Sequence, residues 1–175
     1  MGSMHTARLL TSPYRYVDHD QWPAQRDVVY DSSLDAFPSS RGFVSMLVAY
    51  RPSGGTLSSQ ELAQLLADSQ PSESISLTRL IAERRIFGFT WRSTFWVPMF
   101  QFELRSLTIR PESHLVLIEL AKSFDEWSIA TWFTCHNTWL DNNKPIELLD
   151  SDFLAVLDAA RTDRFVAALV ADRYI

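Results

Sequence analysis

The chain has 175 residues, 46% of them hydrophobic and 13% aromatic, enough to bury a full core as one domain or as two small units sharing an interface. Its net charge of −5 argues against a broadly basic nucleic-acid coat while leaving room for a local basic patch. A single cysteine, Cys135, excludes an internal disulfide and a cysteine-rich zinc site and suits a reducing cytosol.

The first ten residues, MGSMHTARLL, hold too short an apolar stretch for a signal peptide, and the first three read as an expression scar before Met4. Elsewhere no apolar run approaches the roughly 18 residues of a membrane helix, so a soluble, cytoplasmic protein with no membrane partner is expected. Residues 1–38 carry prolines and isolated aromatics without a sustained period. They read as an irregular arm that packs on the body through Tyr14, Tyr16, Trp22 and Tyr30.

SSRGFVSMLVAYRPSGG predicts a helix capped by Ser39 or Ser40, with Phe43, Met46, Leu47 and Tyr50 as its apolar stripe and Pro52, Gly54 and Gly55 as its stop. TLSSQELAQLLADS opens with a capping box, Ser58 and Glu61, and buries Leu62, Leu65 and Leu66. SISLTRLIAERR repeats the idea with Leu77, Leu80 and Ile81 inward. In IFGFTWRSTFWVPMFQFEL the apolar residues change to a period of two. Phe87, Phe89 and Trp91, then Phe95, Val97 and Met99, predict a β-hairpin turning at Arg92 to Thr94. Pro98 is expected at an edge or bend, with extended chain through Phe100, Phe102 and Leu104.

From Pro111 the period is helical. RPESHLVLIELAKSF starts on proline and turns Leu115, Leu117, Ile118, Leu120 and Ala121 inward. DEWSIATWFTCHNTWL is capped by Asp125, KPIELLD has Pro145 at its first helical position, and SDFLAVLDAARTDRFVAALVADRY is capped by Ser151. That last segment is one long helix or two broken near Thr162. Trp139, Leu148 and Leu157 read as core.

Catalytic signals are weak. Cys135 and His136 are adjacent, so on a helix they point about 100° apart and cannot form a nucleophile–base dyad; Cys135 reads as a small buried hydrophobe. His19, between two aspartates in DHDQ, lacks further ligands nearby, and RPSGGTLSS lacks the lysine of a phosphate loop. The acidic residues from Asp141 to Asp158 sit at helix starts, where they cap and favour the dipole. No metal, no cofactor and no enzymatic activity are expected. Helix–turn–helix plus hairpin is the outline of a winged helix, and residues 75–92 carry Arg79, Arg84, Arg85 and Arg92 against Glu83. These arginines are the candidate contacts to DNA phosphates.

The C-terminal two-fifths carries an ordered set of short motifs: VPMFQFEL, DEWSIATWF, NTWLDNNKPIELL and VLDAA. In that order they resemble the toxin-binding domain of Xre/MbcA/ParS-type antitoxins. The matching positions are Pro98, Phe100, Gln101 and Phe102; Trp127 and Trp132; Leu140; Pro145, Glu147, Leu148 and Leu149; and Val156, Ala159 and Ala160. Where that family often has Pro-Asn this chain has His136-Asn137, and the family's turn glycine is replaced within Asp141-Asn142-Asn143. The N-terminal half differs from the family's all-helical DNA-binding domain. The resemblance implies a non-catalytic inhibitor that covers the active-site entrance of a protein toxin, commonly a RES-fold enzyme consuming NAD⁺. The outer faces of the last helices would form the partner surface, with Arg161, Arg164, Arg173 and Glu147 as anchors. The expected fold is α+β, mainly α-helical: an arm (1–38), a winged-helix-like segment (39–105) and a helical toxin-binding-like domain (106–175). A homodimer is a further possibility, and a DNA-binding regulator is the alternative function.

Overall fold

A computed structural model describes residues 39–69 and 76–172. The arm with His19, and the terminal Arg173, lie outside them. The described residues form seven α-helices and one small antiparallel sheet, a mixed α/β and mostly helical architecture.

Helix α1 (Ser40–Tyr50) begins where the Ser39 hydroxyl accepts the Gly42 N–H at 3.0 Å, which settles the cap in favour of Ser39. It ends in a single 3-10 turn, Arg51–Ser53, and the chain reverses through Gly54 at φ +99° and Gly55 at φ +74°. The next three residues, Thr56–Ser58, form strand β1. Their sequence carries no alternation, and the strand is too short to announce itself. The capping box then starts α2 (Ser59–Ser69): Ser58 N donates to Glu61 Oε2 at 2.8 Å, and Glu61 N to Ser58 Oγ at 3.3 Å. Leu62 and Leu66 are buried, whereas Leu65 faces outward.

Helix α3 (Leu77–Ala82) is only six residues long, and the hairpin of β2 (Phe89–Trp91) and β3 (Thr94–Pro98) follows. Arg92 turns the hairpin at φ +53°. Strand β3 is central, in the order β1-β3-β2, with Leu57 opposite Val97 and Phe89 opposite Trp96. Gly88 makes the close approach possible: a Cβ there would lie 2.4 Å from the Trp96 carbonyl oxygen. Pro98 is the last residue of β3, where the ladder ends. Beyond it the chain coils into a 3-10 turn, Met99–Gln101, instead of running on extended. Gln101 occupies the place a continuing strand would have taken. Its buried amide accepts from Phe87 N at 2.8 Å and donates to Phe87 O at 2.8 Å and Pro98 O at 2.9 Å, replacing a strand neighbour with a side chain.

The alternation in β3 feeds two cores. Val97 joins Leu62, Leu66, Leu80, Ile86 and Phe102 on one side of the sheet. On the other, Trp96 and Phe89 pack into a larger cluster with Met46, Tyr50, Phe100 and the C-terminal helices. Those helices are α4 (Pro111–Leu120), α5 (Glu126–Thr134), α6 (Pro145–Leu148) and α7 (Phe153–Asp172). The cluster spans both halves of the chain. Tyr50 donates its hydroxyl to Ala130 O at 2.7 Å, and Phe87 stacks on Phe133 at 5.6 Å between centroids.

In α4 the buried stripe is Ser113, Val116, Leu117 and Leu120, spaced i, i+3, i+4, i+7, so Leu115 and Ile118 point outward rather than in. Asp125 caps α5 by accepting Ser128 N at 2.7 Å, and Pro145 opens α6 as expected. The cap of α7 is Asp152, accepting Ala155 N at 3.3 Å, not Ser151. Helix α7 is continuous through Thr162, whose hydroxyl bonds back to Asp158 O at 2.9 Å. Arg110 pairs with Asp150 near the start of both helices, and Glu119 pairs with Arg161 and Arg164 near the end of α4. The two helices therefore run side by side in one direction. Residues 165–172 of α7 continue past α4 by roughly 12 Å, at 1.5 Å per residue.

Candidate partner-binding surface

The outer part of α7 leaves large apolar side chains in water. Phe165 is 61% exposed, and Val166, Leu169 and Val170 are also exposed. Leu154, near the helix start, is exposed as well, separated from this end by the Asp158–Arg161 pair. A helix end apolar on most of its circumference, beyond the reach of its neighbour, is unusual for a surface with no binding role.

Two flanks border it. On the α4 flank, Glu119 gathers three cations: Arg164 at 2.7 Å, Lys122 at 2.8 Å and Arg161 at 3.8 Å. Arg161 also reaches Asp158 at 3.0 Å. The hydrogen bond from Lys122 does most to hold the Glu119 carboxyl below its ordinary range; burial opposes it, and the charges of Lys122, Arg164 and Arg161 add to the lowering. Arg161 and Arg164, expected as free anchors for a partner, thus already serve as ties between α7 and α4, yet their side chains stay 51% and 34% exposed. Arg84 reaches the Ala121 carbonyl just beyond the end of α4 at 3.4 Å.

On the opposite flank a 3-10 turn, Thr138–Leu140, packs against α7. Asp141 (φ +51°) and Asn142 (φ +61°) reverse the chain there, in the left-handed conformation that Asp and Asn adopt more readily than most residues. Asp163 of α7, 5% exposed, faces this turn. Its Oδ2 accepts from Trp132 Nε1 and from Asn137 Nδ2, both at 2.8 Å, and its Oδ1 accepts from Trp139 Nε1 at 2.9 Å. Asn137 in turn accepts the Trp139 backbone N–H at 2.8 Å. Trp139, expected in the core, is 57% exposed, its ring in water and its N–H tied inward. Leu157 is buried and Leu148 partly so, as expected. Asp163 carried a sequence signal that the reading missed. It stands in register with Val156, Ala159 and Ala160 on the buried stripe of α7, where an aspartate requires donors.

The remaining predicted residues are scattered. Glu147 pairs with Lys144 at 3.6 Å on α6. Arg79 is bound to Glu83 at 2.7 Å, and Arg92 lies 5.7 Å from the Trp91 ring centre. Arg85 is exposed in the loop after α3. Cys135 is partly buried and burial pushes its thiol up, with Lys144 a smaller opposing influence, the reverse of an activated nucleophile. Among the described residues no three His, Cys, Asp or Glu side chains gather as a metal site, and no helix is long and apolar enough to cross a membrane. Comparison with family models, curated proteins and solved structures gives no match.

Proposed function

We propose that the protein is a non-catalytic binding protein of antitoxin type, which occludes a partner through α7 and the elements flanking it. The observation that carries this reading is the projecting end of α7, with Phe165, Val166, Leu169 and Val170 exposed beside a cationic flank. An apolar centre with a charged rim is the ordinary anatomy of a specific interface. The motif resemblance supports a protein toxin as the partner, with a NAD⁺-consuming RES-type enzyme the first candidate. The test is co-expression of the full chain with the product of the reading frame adjoining its gene. A stable complex that suppresses that protein's NAD⁺ consumption is expected. A neighbour that fails to bind, or that consumes NAD⁺ equally fast when bound, overturns the reading.

A DNA-binding regulator is the second reading. It is favoured by the succession α1, β1, α2, α3 and the β2–β3 hairpin, in the sheet order β1-β3-β2. That succession supports reading residues 40–98 as winged-helix-like. Against it, Arg79 and Arg84 are held by Glu83 and the Ala121 carbonyl, and α3 is short for a helix that reads a groove.

A further inference from the structure

Trp139 is the most exposed of the described tryptophans, yet it is among the most firmly oriented. Water would satisfy an exposed indole N–H at no structural cost. Instead the N–H is directed onto Asp163, and Asn137 fixes both that carboxylate and the Trp139 backbone. The Trp132 indole completes the cradle from α5. A buried carboxylate satisfied by three neutral donors has little freedom to move, and it passes that rigidity to the one donor whose ring is outside. A large aromatic held in a single pose loses little conformational freedom when a partner covers it. Tryptophan and arginine are also the residue types that most often dominate interface energetics.

The surroundings specify the occupant. Val166 and Val170 follow Asp163 at i+3 and i+7, so the exposed apolar surface runs on along that face of α7. On the far flank, Arg161, Arg164 and Lys122 share Glu119, and Arg161 also pairs with Asp158, three cations to two carboxylates among these described residues. The flank keeps a positive excess on a chain whose net charge is −5. An apolar cleft edged by carboxylates complements both parts, whereas in a symmetric pair of copies this flank would face its own positive excess.

The geometry points to Trp139 as the preorganised anchor of the partner surface, with Asp163 as its positioning residue and a protein bearing an apolar, carboxylate-edged cleft as the occupant. The inference rests on the binding-protein reading above and deepens it by naming the residue on which binding turns.

Full-length Trp139→Ala, Trp139→Phe and Asp163→Asn variants test it in two arms. The first needs no partner. The indole N–H resonance missing from Trp139→Phe should exchange slowly with solvent in the parent chain and at least tenfold faster in Asp163→Asn. Fast exchange in the parent overturns the inference. The second arm measures affinity for the neighbouring gene's product. Trp139→Ala should weaken binding about 100-fold with an unchanged melting temperature. Trp139→Phe and Asp163→Asn should weaken it roughly tenfold, because the ring is present but no longer held. Equal affinity of parent and Trp139→Ala overturns the inference and leaves the binding-protein reading standing. A parent chain that binds nothing overturns both. If Trp139→Ala instead breaks a homodimer, or abolishes binding to a single-stranded oligonucleotide, the protein cleft is the wrong occupant.

Discussion

Replacing Gln101 by alanine should cost far more than the loss of one polar side chain suggests. The amide is 2% exposed and joins three main-chain groups: Phe87 N–H, Phe87 C=O and Pro98 C=O. Each becomes a buried group without its partner, at about 1–3 kcal/mol apiece. Partial relaxation and entry of water bring the expected total to about 4 kcal/mol. For a chain of this length that lowers the melting temperature by roughly 10 °C, at about 2–4 °C per kcal/mol. Urea unfolding followed by circular dichroism measures it, with Gln64→Ala on the exposed face of α2 as a control expected within about 0.5 kcal/mol. Gln101→Glu sharpens the test. Its carboxylate can still accept from Phe87 N but cannot donate to either carbonyl. It should be destabilised at neutral pH and recover in part when acid returns a proton to it. A Gln101→Ala loss under about 1 kcal/mol would refute the claim that this side chain substitutes for a strand neighbour.

Three other perturbations follow from the same geometry. Gly88→Ala puts a Cβ against backbone, 2.4 Å from Trp96 O, and should cost about 2–3 kcal/mol in urea unfolding; a neutral result would mean the hairpin opens freely at that point. Glu61 and Glu119 have carboxyls held below their ordinary value of 4.5, so their contribution is complete above that pH and is lost as pH falls through the lowered folded values. Glu126, raised by burial and then by Asp125, acts with the opposite sign: its ionised form opposes folding at neutral pH, and acid relieves this first. Urea midpoints against pH should therefore fall less steeply below 4.5 in Glu119→Gln, and an unchanged acid limb would contradict the ion-pair assignment. If the second functional reading holds, binding to upstream DNA should weaken with salt at about −0.9 log units per phosphate contact, and Arg84→Ala with Arg85→Ala should flatten the slope by about two units. No shift by folded protein at low salt removes that reading.

Local chemistry was largely legible in the chain. Ser39, the Ser58–Glu61 box, Asp125, Pro145 and the left-handed Asp141–Asn142 turn act within three or four residues of themselves, so neighbouring sequence suffices to decide them. The alternation of Phe95, Val97 and Met99 likewise announced the hairpin's second strand, whereas the burial of its other face through Trp96 emerges only in the packed fold. What tertiary structure alone decided depends on partners far along the chain. Strand β1 exists because β3, forty residues later, offers it a ladder; its own three residues have too little pattern to require one. The outward turn of Leu115 and Ile118 was set by where α7 lies, since α4 is apolar around much of its circumference and its sequence leaves the buried face open. Trp139 was assigned to the core by hydrophobicity, but its indole N–H needed an acceptor, and that acceptor, Asp163, arrives from a helix twenty-four residues away. A side chain's composition sets what it gains from burial or from a hydrogen bond, but whether it is buried and where its polar atoms point depend on which groups the rest of the fold brings within reach.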